Sequence, residues 1–313
     1  MKIYVDAPFG KAAKEMLRAG VHPDICQFRD ELEQEEMQRQ ALAEADILLG
    51  NPKRLDWLQQ ASYLKWIQFH STGFEYYRDL QTTAIVTNMR GFYAEPCAET
   101  IVAGLMALYR GIDRFSVLKR DKVWTGIAAR PQLQLLQQKK VIVVGWGSIG
   151  KRIAKILEGF DCEIFVYSRS LPEALVRTPE QLIEALPKMD IVVACLPGTD
   201  DTRGFFTTQM IRSMRPTAVF CNVGRGNLLE DEGELVDALM QGRLGGAVLD
   251  VTAIEPLPSD HPLWSCPNTI LSQHTGGGYT DEHGGIVQLF LENLQLFKEG
   301  KPLKNQVQLH RGY

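Results

Sequence analysis

Residues 141–150 of this 313-residue chain read Val-Ile-Val-Val-Gly-Trp-Gly-Ser-Ile-Gly, and apolar residues then recur at helical spacing at Ile149, Ile153, Ile156 and Leu157. A G-x-G-x-x-G triplet alone says little. Placed after an apolar strand and opening a helix, it is the arrangement that lets backbone approach a pyrophosphate. Gly145 permits the tight turn, Gly147 the close approach, and Gly150 the packing of helix on strand. The helix N-terminus, with Ser148 and Ile149 in its first turn, offers free N–H groups and a positive dipole end to the phosphates. The same residues nearly spell a triphosphatase loop, Gly145-x-x-x-x-Gly150-Lys151, but Arg152 stands where Ser or Thr would hold magnesium. A guanidinium cannot ligate Mg²⁺, so that chemistry is rejected.

The next apolar run, 163–167, ends in Ser168-Arg169-Ser170. A fold specific for NAD would place Asp or Glu there to accept hydrogen bonds from the ribose hydroxyls. A carboxylate would repel a 2′-phosphate, whereas Ser-Arg-Ser would bind one through charge-assisted hydrogen bonds. The expected cofactor is therefore NADP(H), with NAD(H) as the alternative. Three later segments at strand ends carry further candidate chemistry: Cys221-Asn222-Val223-Gly224-Arg225-Gly226, Leu249 to Pro258, and Leu271-Ser272-Gln273-His274-Thr275-Gly276.

These residues need elements to hold them. Apolar runs at 2–5, 47–49, 66–69 and 85–86 read as strands, with helical patterns at 10–19, 31–44 and 52–60 between them. A second series of strands follows at 141–144, 163–167, 191–194, 218–222, 247–250 and 269–271, with helices at 148–158, 179–186, 207–213 and 231–241. Six strands with short crossovers is the count for a dinucleotide-binding domain. A long helix from 98 to about 118 is expected between the two series, with Pro96 restricting the backbone before it. Gly276-Gly277-Gly278 reads as a flexible crossing point, followed by a helix at 281–297 that returns to the first domain. The expected fold is α/β with two doubly wound, mostly parallel sheets. A Rossmann cofactor domain, 98–275, is inserted in a flavodoxin-like substrate domain, 1–97 plus 276–313.

Composition narrows the class. Apolar residues are 45% of the chain, charged residues 23%, and the formal charge is −4. These values exclude fibrous and wholly disordered chains. No Lys/Arg run exceeds two residues, so nucleic acid is not an expected partner. No stretch approaches the ~20 apolar residues of a membrane span. Six scattered cysteines without a C-x-x-C pair read as buried hydrophobes in a reducing, cytoplasmic compartment. The six histidines include no i, i+4 pair, so no metal site is expected.

Taken together, the motifs resemble the D-isomer-specific 2-hydroxyacid dehydrogenase family over nearly the whole chain. The resemblance also rests on Ser71-Thr72-Gly73, Ala98-Glu99, Leu196-Pro197 with Thr199 and Thr202, and a tail reading Gly300-Lys301-Pro302-Leu303, Asn305, Val307 and Gly312-Tyr313. His261-Pro262-Leu263-Trp264 and the spacing from Glu255 to His274 point to the glyoxylate/hydroxypyruvate reductase branch. The resemblance implies a catalytic trio of Arg225, Glu255 and His274. Chemically the three make sense together. Arginine's planar fork orients the carboxylate of a 2-oxo acid and polarises its ketone. Histidine donates the proton that completes reduction, and a glutamate beside it fixes its tautomer.

The resemblance further implies that Ser148, Ile149, Cys195, Pro197, Val223, Gly224, Asp250 and Gly276 contact the cofactor, Asp250 at the nicotinamide carboxamide. It implies that the amides of Thr72 and Gly73 receive the substrate carboxylate, and that two domains close over the substrate. A homodimer is also implied, through the helix carrying Ile101, Leu105, Leu108 and Ile112. Gln273 departs from the family, which usually has proline before the histidine. Phe74, Tyr76, Tyr77 and Trp264 hint at a small or unbranched oxo acid. The readings set against this one are a nicotinamide-sensing binding protein and a phosphite dehydrogenase; a formate enzyme of this type would carry Gln in place of Glu255.

Overall fold

The computed structural model describes residues 1–311; the Gly312-Tyr313 end of the tail motif lies outside them. The chain divides into two compact units, Met1–Phe92 with Tyr279–Tyr313, and Tyr93–Gly278.

The first unit alternates strand and helix: β1 (Lys2–Asp6), α1 (Lys11–Val21), β2 (Ile25–Phe28), α2 (Glu35–Ala43), β3 (Ile47–Gly50), α3 (Leu55–Gln60), β4 (Trp66–Gln68) and β5 (Ile85–Thr87). The strands form one parallel sheet in the order β2-β1-β3-β4-β5, the flavodoxin-like order. The sequence reading missed β2. Its four residues Ile-Cys-Gln-Phe bury only Phe28, and Ile25 is exposed. An edge strand this short shows neither alternation nor an apolar run, so only its pairing with β1 reveals it.

The second unit opens with a helix that begins earlier than expected and is broken. In place of one helix at 98–118 there are α4 (Ala94–Arg110) and α5 (Ile112–Arg120), separated by Gly111 in the left-handed region at φ 64°. Pro96 does not precede the helix but sits in its first turn. A first-turn N–H has no intrahelical acceptor, so proline costs nothing there. Gly111 supplies the left-handed cap that L side chains resist.

The remaining elements are β6 (Lys140–Val144), α6 (Ser148–Glu158), β7 (Glu163–Tyr167), α7 (Pro179–Ala185), β8 (Ile191–Ala194), α8 (Thr208–Ser213), β9 (Val219–Asn222), α9 (Glu232–Met240), β10 (Gly246–Leu249) and β11 (Thr269–Leu271). The parallel sheet runs β11-β10-β9-β8-β6-β7. A single parallel bridge from Tyr167 to Val176 adds a rudimentary seventh strand beyond β7. Alternate residues of β6 serve opposite faces. Ile142 and Val144 pack with Leu182, Met210 and Leu235, while Val141 and Val143 pack with Ile101, Leu105, Ile153 and Leu157. Both faces are therefore covered, as a parallel sheet requires.

The last helix, α10 (Glu282–Lys298), lies in the first unit. Trp66 of β4 stacks on Phe290 at 4.9 Å and on Phe297 at 5.6 Å. Beside this apolar seat runs a buried polar chain. Trp66 Nε1 donates to Thr87 Oγ1 (2.8 Å), Thr87 Oγ1 to Gln68 Oε1 (2.9 Å), and Asn293 Nδ2 to the same Gln68 oxygen (3.1 Å). Asn293 Oδ1 accepts from the Lys304 N–H at 2.8 Å, which ties down the tail. Replacing Asn293 by Leu leaves the Lys304 N–H without its acceptor and Gln68 with one donor fewer, at a cost of about 2 kcal/mol. A urea titration of Asn293→Leu followed by far-ultraviolet circular dichroism should show that loss; an unchanged midpoint would mean the polar chain contributes nothing.

Candidate active site

In the second unit, strand order reverses between β6 and β8, with β7 on one side and β8 to β11 on the other. Loops after β6 and β8 therefore diverge and leave a crevice at the carboxyl ends of the strands, where open α/β sheets bind ligands. The glycine loop stands there. Gly145 has φ 109°, and a Cβ on it would lie 2.9 Å from the Cys195 carbonyl. A Cβ on Gly150 would lie 2.2 Å from the Gly145 carbonyl oxygen. Gly147 differs: its φ is −79°, and an added Cβ would meet nothing within 4 Å. Neither conformation nor packing within the chain demands glycine at 147. A group approaching from outside would, and the pyrophosphate of a dinucleotide is the group that loop and helix suit. No side chain caps the start of α6, which leaves the N–H groups of Ser148 and Ile149 for a ligand. Arg152 is engaged by Glu95 of α4 in a two-pronged pair, 2.6 Å from Nη2 to Oε1.

At the end of β7, Ser168 is buried, and its hydroxyl accepts from the Leu171 N–H at 3.2 Å and lies 3.5 Å from the Ser170 hydroxyl. Arg169 and Ser170 are exposed. Cys195 and Val223 sit at the ends of β8 and β9, bonded through their N–H groups to Val144 and Ala194. The Pro197 carbonyl accepts from the Thr202 hydroxyl, which shapes the loop after β8.

Arg225 follows β9 on a turn braced by Asn222, which is fully buried. Asn222 Oδ1 accepts from the Gly224 N–H (3.1 Å), and its Nδ2 donates to the Arg225 carbonyl (2.9 Å). The Arg225 backbone is extended, and its Nη1 donates to the Gly224 carbonyl at 2.8 Å. Glu255 and His274, nineteen residues apart in sequence, meet: Glu255 Oε2 lies 2.7 Å from His274 Nδ1. Glu255 Oε1 accepts from the Thr252 N–H at 3.0 Å, so both oxygens are placed. With the proton of Nδ1 directed at the carboxylate, Nε2 is the ring nitrogen left for other partners, and the side chain is about half exposed, at 52%.

The turn carrying His274 hangs on Asp250, itself almost fully buried. Asp250 Oδ1 accepts from the Ser272 hydroxyl (2.7 Å) and from the Gly276 N–H (2.9 Å), and its carbonyl accepts from the His274 N–H. The Gly276 N–H is thus consumed within the chain. Gly276 is buried and held by this bond, whereas Gly277 is half-buried and Gly278 exposed. Gln273 and His274 both take left-handed backbone, φ 55° and 56°. Proline, locked near φ −65°, cannot occupy position 273 in this turn. The Glu255–His274 pair, Leu257, Trp264 and Gln273 line a cavity of about 380 Å³.

In the first unit, Ser71-Thr72-Gly73 forms a tight turn after β4. Its carbonyls are engaged: Asn88 Nδ2 donates to Thr72 (2.7 Å) and Ser71 Oγ to Gly73 (2.6 Å). Its N–H groups at Thr72 and Gly73 donate to nothing among the described residues. Asn51, which the sequence reading missed, holds the turn from the end of β3 by donating to Ser71 Oγ (2.8 Å) and accepting from the His70 N–H (2.9 Å). Only the Gly-Asn-Pro composition after a strand marked that loop as special. Phe74, Tyr76 and Tyr77 line a cavity of about 400 Å³ together with Asn51, Lys53 and Gly73, although Phe74 and Tyr77 expose little of themselves. These two are buried on Phe69, stacked at 6.4 and 4.3 Å, and only Tyr76 and Trp264 of the four aromatics are exposed. All six cysteines are free and four are buried; burial pushes the Cys97 thiol up to about 12. Among the described residues no cluster of three His, Cys, Asp or Glu side chains is placed to hold a metal, and no helix is long and apolar enough to cross a membrane.

Residues 102–276 match the family described as D-isomer specific 2-hydroxyacid dehydrogenase, NAD binding domain. A glyoxylate reductase of Aeropyrum pernix is 31% identical over 264 residues, 80% of this chain and 78% of that protein. A glyoxylate/hydroxypyruvate reductase A of Arabidopsis thaliana is 32% identical over 227 residues, 71% of this chain and 70% of that one. Among solved structures, a D-isomer specific 2-hydroxyacid dehydrogenase family protein from Aeromonas salmonicida superposes with a TM-score of 0.84 at 28% identity over 98% of both chains. An NADPH-dependent glyoxylate/hydroxypyruvate reductase of Sinorhizobium meliloti, solved with NADP and sulfate, shares the fold at TM-score 0.83 and 22% identity over 99% of both chains. The chain belongs to the D-isomer-specific 2-hydroxyacid dehydrogenase family. It is an oxidoreductase with a nicotinamide-dinucleotide-binding Rossmann domain, acting in the chemistry of 2-oxo and 2-hydroxy acids.

Two outcomes follow from this geometry. Gln273→Pro forces position 273 out of the left-handed region and should lower kcat at least about tenfold, since small misplacements of reacting groups cost that much or more; Gln273→Gly, which accepts φ 55°, should retain activity, and equal rates for both would show that His274 placement does not depend on this turn. Burial and the charge on His283 hold the His70 imidazole down at about 4. The unfolded chain therefore binds the extra proton as pH falls through about 6.5, and the folded one does not until about 4. The thermal midpoint should decline across that window, and His70→Asn should flatten the decline; an identical profile in the variant would contradict a neutral buried His70.

Proposed function

We propose that the protein is an NADP-dependent reductase of a small 2-oxo acid of the glyoxylate or hydroxypyruvate type, forming the D-2-hydroxy acid. The observation that carries this reading is the 2.7 Å contact between Glu255 and His274, in a family member whose β7 ends in Ser168-Arg169-Ser170 instead of a carboxylate. Residues 98–275 hold the dinucleotide through Gly145, Gly147, Ser148, Ile149 and Gly150, with Cys195, Pro197, Val223, Gly224 and Asp250 along the strand ends and Gly276 adjoining them just past the boundary. Ser168, Arg169 and Ser170 take the 2′-phosphate. The remaining residues, 1–97 and 276–313, form the substrate domain.

Bound NADPH supplies the hydride for C2 of the oxo acid. The chain's own residues do the rest. The N–H groups of Thr72 and Gly73 donate hydrogen bonds to the substrate carboxylate. Arg225 orients that carboxylate and draws electron density onto the ketone oxygen. Protonated His274, held by Glu255 at Nδ1, gives the Nε2 proton to the same oxygen as it becomes a hydroxyl. In the reverse direction the neutral ring recovers that proton.

A homodimer belongs to this reading, through the far end of the surface expected, where Ile112 lies. Ile101 and Leu105 are fully buried within their own unit, whereas Ile112, Val117, Val123, Trp124 and Ile127 on α5 and the loop after it are exposed, Trp124 at 94%. A run of apolar side chains on water favours a partner surface. The free, unpaired thiols support a reducing, cytoplasmic setting.

Initial rates with NADPH and NADH across glyoxylate, hydroxypyruvate, pyruvate and larger oxo acids test the proposal. NADPH should be favoured, and His274→Ala should lower kcat by about 10²–10⁴-fold, the range of general acid catalysis. Arg225→Ala should raise KM and lower kcat together. Tight dinucleotide binding without turnover would replace the enzyme with a sensor, and oxidation of phosphite would replace the substrate.

A further inference from the structure

Beyond Ser168-Arg169-Ser170 stands a second guanidinium that no motif marks. The bridge between Tyr167 and Val176 is continued by the Ser168 N–H, which donates to the Val176 carbonyl at 3.1 Å. This rudimentary strand places Arg177 alongside the turn that ends β7. Arg177 Nη2 donates to the Arg169 carbonyl at 3.3 Å, so its side chain reaches back over that turn. From the other side its backbone is fixed by Gln181, whose Oε1 accepts from the Arg177 N–H at 2.8 Å. The same Gln181 completes the capping box with Thr178 that opens α7. Arg177 is thus anchored at both ends while remaining exposed.

Neither Arg169 nor Arg177 forms an ion pair among the described residues. Two like charges carried on one turn without a carboxylate repel, and an anion bound beside them relieves that repulsion. Arg177 spends only one of five donors on the Arg169 carbonyl, and its planar fork suits a phosphate.

We propose that Arg177 is a specificity-determining residue that binds the 2′-phosphate of NADP together with Arg169. The proposal rests on the NADP reading above and extends it to a residue eight positions further along the chain. Arg177 is not required to touch the rest of the dinucleotide, so its removal should separate binding of the 2′-phosphate from binding of the remainder.

Calorimetric titration of the full chain with 2′,5′-ADP and with ordinary ADP separates the two questions. The unmodified protein should bind 2′,5′-ADP more tightly; if it does not, the NADP reading itself fails. Arg177→Ala should weaken 2′,5′-ADP by about tenfold or more, the scale of a charge-assisted hydrogen bond, and leave ADP unchanged. The salt dependence of 2′,5′-ADP binding should become shallower in the variant. With Arg169→Ala the two losses should be non-additive, because both groups serve one phosphate. A variant that keeps full affinity for 2′,5′-ADP would overturn the proposal while leaving the NADP reading intact. Equal weakening of both ligands would also overturn it, assigning Arg177 a purely structural part in the turn, and the thermal midpoint would then fall as well.

Discussion

The buried carboxylate of Asp250 is the constraint on which the geometry of the Glu255–His274 pair depends. Taking a carboxylate out of water is costly unless its oxygens are bonded, and here the bonds all come from one short stretch of chain. The Ser272 hydroxyl and the Gly276 N–H converge on one carboxylate oxygen, and the His274 N–H meets the carbonyl of the same residue. These three contacts wind residues 272–276 around the end of β10 and force two successive residues into the left-handed region. The imidazole is then aimed at Glu255 by the backbone, before any side-chain freedom is spent. Strain of this kind persists only where surrounding bonds over-determine it.

Parallel sheets explain why the rest of the machinery gathers where it does. With both faces covered by helices, the free edges of chemistry are the loops at the carboxyl ends of the strands. Within the second unit β6, β7, β8, β9, β10 and β11 each deliver something there: the glycine loop, the Ser-Arg-Ser turn, Cys195, Arg225, Asp250 and His274. The first unit repeats the principle with Asn51 after β3 and the Thr72-Gly73 amides after β4. In both units a side-chain amide, Asn222 or Asn51, bonds across a turn and leaves functional groups pointing outward.

Charge is arranged by the same economy. Arg152 is paired with Glu95 within the helix pair, while the N-terminus of α6 carries no side-chain cap. At the end of β7 the arrangement is opposite, with guanidinium groups left without carboxylates.

Much of this was legible in the amino-acid order. Strands such as 163–167 and 191–194 are apolar runs bounded by turn residues, and the glycine loop and the three strand-end segments around Arg225, Glu255 and His274 announce themselves by residue type. Local propensity and local spacing decide such features, and both are written along the chain. What the order did not disclose depends on contacts distant in sequence. The pairing of β2 with β1, the break at Gly111, the burial of Phe74 and Tyr77 on Phe69, and the seat of Arg177 beside Arg169 each arise from neighbours supplied by other segments. The identities of Arg225, Glu255 and His274 belonged to the sequence; the 2.7 Å between Glu255 and His274, and the Asp250 brace that sets it, belonged to the tertiary structure, because a hydrogen bond spanning nineteen residues exists only once two strand ends are brought together by the sheet.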